Sequence, residues 1–185
     1  MESLMAALVA ALLIRATDKS AALVAVSAER SGKSGAVLLA TLIALVITLS
    51  LAAMAGLFIG PRLTPNATRL MLALSLVAAA SGAVWPGKTK DMAEVRHPFW
   101  STLTNLTVTG LGGRTEFVVF AVAAWGTAAL AGVGGLIGSM AILGAAAVAG
   151  ETLWRPLPHR AIGIVAGGVL VVAGAWLAVS ALRLI

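Results

Sequence analysis

Residues 35–59 read GAVLLATLIALVITLSLAAMAGLFI, a run of 25 residues without one charged side chain. A bilayer core of roughly 30 Å needs about 20 apolar residues to be crossed as a helix, so this stretch predicts a transmembrane span. Five further runs of similar character lie around it, at 4–28, 67–85, 99–125, 128–150 and 161–182. Polar or Pro/Gly-rich segments separate them: Glu29 to Ser34, Gly60 to Asn66, Pro86 to Pro98, the dipeptide Gly126-Thr127, and Glu151 to Arg160. The runs are too long for barrel strands and lack period-two alternation.

The composition of the 185 residues agrees. Hydrophobic residues make up 60% and charged residues 11%, with a mean hydropathy of +1.02. Soluble domains carry nearer a quarter charged residues, and disordered chains are poor in apolar ones. The formal net charge of +6 would point to nucleic acid in a soluble protein. In a membrane protein it follows the positive-inside bias of short loops. Seven basic residues (Arg30, Lys33, Lys88, Lys90, Arg96, Arg155, Arg160) fall on the loops after the first, third and fifth runs, against Arg62, Arg69 and Arg183 on the other side. The expected topology has both termini outside, in a bacterial inner (plasma) membrane. Trp85, Trp100, Trp125 and Trp154 fall near run ends as an interfacial belt would, with Trp176 the exception. The first run has no basic leader and contains Arg15, Asp18 and Lys19, so it is expected to be a retained helix rather than a cleaved signal. Cysteine is absent, which excludes disulfides, thiolate metal sites and a Cys nucleophile.

The chain also echoes itself. Asp18 to Val24 aligns with Gly113 to Val119, Pro65 to Arg69 with Pro158 to Arg160, and Ser81 to Trp85 with Ala173 to Leu177, at offsets of 92 to 95 residues. Each half then holds three helices. An odd number forces the halves to insert in opposite senses, which is a common transporter design with its site at the midplane. The expected architecture is an all-α integral membrane protein of six transmembrane helices in two inverted three-helix repeats, 1–86 and 99–185, joined by a cytoplasmic linker over 87–98.

Charges at mid-span are costly and usually functional. Arg15, Asp18 and Lys19 fall in the middle of the first run, and Arg114 and Glu116 in the middle of the fourth. Arg15 and Asp18 are three apart and share a helix face. Asp18 can also reach Arg114 across the repeat interface, and Lys19 is a candidate partner for Glu116. Thr17, Ser20 and Thr115 add hydroxyls to the layer, or else bond to the carbonyl one turn back. An ion network that only ties helices together is the other reading of these charges.

These stretches, Arg15-Ala16-Thr17-Asp18-Lys19-Ser20 and Gly110-Leu111-Gly112-Gly113-Arg114-Thr115, resemble the motif E-x-G-D-[KR]-[ST]. Six-span Gdt-type proteins of the LysE transporter superfamily carry that motif twice, in helices one and four. The family includes Golgi and bacterial manganese/calcium–proton antiporters. The resemblance implies a small secondary transporter with Asp18, Glu116, Thr17, Ser20 and Thr115 as ion- or substrate-binding residues. Asp18 and Glu116 would be the metal ligands, Arg15, Lys19 and Arg114 the charge partners, and Mn2+ or Ca2+ the cargo. The motif's two Glu positions are Arg15 and Gly110 here, its second Asp is Gly113, and Glu116 stands where the family has Gln. Two intact motifs carry four carboxylates and two bases, net −2; this cluster has two carboxylates and three bases, net +1. Hard divalent cations need several oxygen ligands and negative charge. Export of an amino acid or other small solute, as in LysE-type relatives, is therefore an alternative, and a non-transporting membrane binding subunit or scaffold is another. The expected partners are the lipid bilayer and a transported ion or solute; homo-oligomerisation is left open, and neither nucleic acid nor a cofactor is expected. No catalytic residues are expected either.

Lesser signals carry less. Ser31-Gly32-Lys33-Ser34 resembles the tail of a phosphate-binding loop but lacks the upstream glycine and strand. His97 and His159 are single loop histidines, and the sequons at Asn66 and Asn105 are chance matches. Gly134/Gly138 and Gly163/Gly167 have the spacing of close helix contacts within a bundle.

Overall fold

A computed structural model describes residues 1–84, 98–154 and 156–182. The expectations placed on Trp85, Lys88, Lys90, Arg96, His97, Arg155 and Arg183 lie outside the described residues.

The described residues form helices and no strands. In chain order these are α1 (Glu2–Thr17), α2 (Lys19–Ser31), α3 (Ser34–Ile59), α4 (Pro65–Val84), α5 (Pro98–Gly110), α6 (Arg114–Trp125), α7 (Ala128–Trp154) and α8 (His159–Ala181), with a 3-10 turn at Gly60–Arg62 after α3. Three segments are long and apolar enough to cross a membrane: Ser34–Arg62, Ala128–Trp154 and His159–Ala181. A fourth forms if α5 and α6, bent by 54° at their junction, count as one. At 1.5 Å per residue, even 20 residues reach about 30 Å.

Two expectations of continuity are corrected. The run at 4–28 is interrupted at Asp18, and the run at 99–125 is interrupted at 111–113. Both interruptions end in the same backbone conformation. Asp18 has φ −89°, ψ 148° and Gly113 has φ −73°, ψ 150°, each the extended residue that opens the next helix. These two residues are 95 apart in sequence. Among the described residues, breaks also fall at 32–33, at 60–64 and at Gly126-Thr127, where Ser3 Oγ accepts from Thr127 N–H at 3.0 Å, whereas α7 kinks at Gly150, its expected end, and runs on to Trp154.

The interior combines many small residues with a few large ones, Ile14, Leu45, Leu49 and Leu143 among them. Ala7, Ala11, Ala21, Ala44, Ala121, Ala131 and Ala146 are buried to 1% exposure or less. Many large apolar side chains also face outward: Leu39, Ile43, Leu51, Met54 and Phe58 on α3, and Val165, Val172 and Trp176 on α8. Water would penalise so large an apolar exterior. In lipid it costs nothing, and small residues at the helix interfaces allow close packing. This distribution marks an integral membrane protein.

The α1 helix packs along α7 and α4 along α8; α2 also lies on α7, and α3 contacts α5, α6 and α7. The closest approach uses the glycines expected for it. A Cβ on Gly134 would stand 2.2 Å from the Leu4 carbonyl oxygen, and one on Gly138 would stand 2.5 Å from that of Leu8. On α8, a Cβ on Gly163 would stand 2.6 Å from the Ala83 carbonyl oxygen.

Candidate functional site

The two helix breaks meet in the middle of the bundle. Asp18 caps α2: its Oδ1 accepts from the Lys19 backbone N–H at 2.9 Å, as an Asp at a helix N-cap does. Oδ1 also accepts from Arg114 Nη2 at 3.2 Å. Its Oδ2 accepts from Ser20 Oγ at 2.9 Å and from Arg15 Nη1 at 3.3 Å. Both oxygens of Asp18 are thus engaged, with donors from both breaks.

Arg15 is the centre of the cluster. It is 4% exposed and lies in the last turn of α1. Its Nη1 also donates to Ser20 Oγ at 3.2 Å, its Nε to Ser139 Oγ at 3.4 Å on α7, and its Nη2 pairs with Glu116 Oε1. Glu116, 5% exposed, lies in the first turn of α6. A cation at a helix C-terminus and an anion at a helix N-terminus each complement the local dipole. That geometry makes Arg15, rather than the candidate Lys19, the ion-pair partner of Glu116. Lys19 is exposed at the first position of α2.

The charge count of the cluster changes accordingly. With Lys19 exposed, the ion pairs of the cluster join Arg15 and Arg114 to Asp18 and Glu116, two against two, of which Arg15 and Glu116 are buried and Asp18 and Arg114 part-buried. Arg15 stands between the carboxylates of Asp18 and Glu116 and touches both. Among the described residues there is no group of three or more His, Cys, Asp or Glu that could hold a metal ion.

The hydroxyls divide. Ser20 belongs to the network. Thr17 bonds back to the Ile14 carbonyl at 2.9 Å, the local alternative common in helices. Thr115 is buried, and its Oγ1 has no partner among the described residues. Two further members, Thr48 and Ser139, are absent from the sequence-based expectation. Thr48 Oγ1 lies 3.4 Å from Glu116 Oε1. Buried hydroxyls in otherwise apolar helices were the only available signal, and Thr41 and Ser75, bonded to their own helices, carry the same signal without joining the site.

Glu116 Oε2 has no hydrogen-bond partner among the described residues. It sits over the glycine that opens α6: a Cβ on Gly113 would stand 2.1 Å from it. A Cβ on Gly110 would stand 3.2 Å from Oε1 and 2.8 Å from Thr48 Cγ2. The carboxylate of Glu116 therefore fills the space that side chains at 110 and 113 would need. A cleft of about 350 Å³ runs beside it, between α3 and the α5–α6 junction, and Thr48, Gly110, Gly113, Glu116, Phe117 and Phe120 line it.

A scan of protein-family models, a search of curated proteins and a search of solved structures each returned no match.

Proposed function

We propose that this chain is a small secondary transporter of six spans in two inverted three-helix repeats, 1–86 and 99–185, with its cargo handled where the two interrupted helices meet. The observation that carries this proposal is the pairing of Asp18 with Arg114 across the two breaks, beside the buried Arg15–Glu116 pair. Interrupted helices at the midplane expose backbone and charge only where these line a site, and intramembrane ion pairs mark transport paths more often than they serve stability. The packing supports the repeats. The interrupted pair α1–α2 lies on α7, and the interrupted pair α5–α6 lies on α3, which is its counterpart in the other half.

The matched charges favour a small solute bearing charge of both signs, such as an amino acid, over a bare Mn2+ or Ca2+ ion. Such a solute can exchange partners with the Arg15–Glu116 and Arg114–Asp18 pairs at constant net charge. A divalent ion held by Asp18 and Glu116 would instead have to displace Arg15. Uptake into proteoliposomes under an imposed proton gradient, with amino acids, Mn2+ and Ca2+ offered in parallel, tests both parts. Amino acid uptake that Asp18→Asn abolishes is the expected result. Uptake of Mn2+ or Ca2+ alone would reverse the assignment of cargo, and flux of none of them would sink transport itself.

A further inference from the structure

The α2 helix has the build of a lever. It is 13 residues long, about 20 Å, and non-helical residues bound it at both ends: the extended Asp18 and the left-handed Gly32 at φ 61°. Its inner face is small and smooth, with Ser20, Ala21, Val24, Ala25, Ser27 and Ala28 buried. One end of this face meets the charged layer, where Ser20 bonds to Arg15 and Asp18. The other end is tied to α7 by polar contacts. Glu29 Oε2 accepts from the Thr152 backbone N–H at 2.9 Å, Glu29 Oε1 accepts from Thr152 Oγ1, and Arg30 Nε lies 3.4 Å from Glu151 Oε2.

The receiving side is shaped for this tie. Gly150 interrupts α7 with φ 70°, ψ −179°, a conformation essentially confined to glycine. A Cβ there would stand 2.7 Å from Glu29 Oε2. The kink frees the Thr152 N–H from the helix ladder, and the missing side chain admits the carboxylate that takes it up. Gly150 thus provides both the donor and the room for the acceptor.

We propose that Glu29 and Thr152 form a gate latch: α2 pivots at Asp18 and Gly32, and release of Glu29 lets it swing from α7 and opens a path to the Arg15 layer from this end of the bundle. The gate takes its purpose from the transport proposal, but its opening can be read without any cargo.

The chain contains no cysteine, so single cysteines report accessibility directly. Ser27, 2% exposed on α2, lies along the path, and Ala166, 2% exposed on α8, serves as a control away from the latch. In proteoliposomes, a water-soluble maleimide should label Ser27→Cys slowly when the latch is intact. Adding Glu29→Gln, which removes a charge-assisted acceptor, should speed that labelling by about tenfold, with Thr152→Val giving a smaller rise because its backbone N–H remains. Labelling of Ala166→Cys should not change. Unchanged labelling of Ser27→Cys in both variants would overturn the gate. Equal acceleration at Ser27→Cys and Ala166→Cys in both variants would also overturn it, since the contact would then be a general structural tie. Absence of amino acid or metal flux in the same vesicles would count against the transport proposal and leave the labelling result standing.

Discussion

The two helix interruptions reach one backbone geometry by opposite means. The first is made by a side chain. Asp18 caps α2, accepts from both arginines, and needs no glycine. The second is made by the absence of side chains. Gly113 opens α6 with no side-chain cap, and the carboxylate beside it comes from Glu116, three residues further on. A charge carried by the capping residue in one half is thus carried from within the helix in the other. The difference teaches that a carboxylate can be brought to a helix break either by the capping residue itself or by a residue one turn inside the helix, provided a glycine leaves room for it.

The strongest way to break this pairing is at the residue both halves share. Arg15→Ala leaves Glu116 buried without its cation and deprives Asp18 and Ser20 of a donor. Loss of one partner of a buried pair costs about 3–5 kcal/mol. The melting temperature in detergent should fall steeply, and Arg15→Ala/Glu116→Ala should recover part of the loss. A double variant no better than the single one would mean that the pair does not couple the two breaks.

A sharper contrast comes from placing the same methyl group at each break. Gly113→Ala drives a Cβ into Glu116 Oε2, an overpacking that costs roughly 1–3 kcal/mol. Combining it with Glu116→Ala should remove most of that cost, because the clash partner is gone. Asp18→Ala introduces no new atom, so its loss of cap and ion pairs should not be rescued by any substitution at 116. Matching rescue at both sites, measured by thermal unfolding, would erase the distinction between a break made by a side chain and one made by its absence.

The smallest effect is expected at the C-terminal end of α2, at a carboxylate held by hydrogen bonds to Thr152. The Thr152 hydroxyl, followed by the Thr152 backbone N–H, holds Glu29 below its ordinary value of 4.5. A carboxylate with a lowered folded-state pKa stabilises the fold above the unfolded value and loses that contribution as pH falls through the folded one. The melting temperature should therefore show a small acid-dependent decline below about pH 4.5 that Glu29→Gln flattens. An identical acid profile in the variant would show that the contact carries no such linkage.

Much of this was readable in the chain. The uncharged run at 35–59, the small-residue spacing of Gly134 and Gly138, and the three-residue separation of Arg15 and Asp18 each imply their outcome through local geometry. The 95-residue offset between Asp18 and Gly113 fell on two residues of matching conformation. Apolar length alone does not reveal the interruptions, although an Asp and then a Gly-x-Gly-Gly inside apolar runs are helix-breaking signals. Hydropathy averages over such short features and reports a continuous span.

The amino-acid sequence by itself determined that this protein is helical and lives in lipid, and that its charges gather in one layer, because apolar length and charge position are properties of the chain read in order. Only the tertiary structure decided which charges pair. Lys19 and Arg15 both carry a positive charge and lie four residues apart, yet the turn at Asp18 sends one outward and the other into the bundle beside Glu116. Burial of a charge depends on what stands opposite it across the packed helices, and that is fixed by the fold rather than by the order of residues.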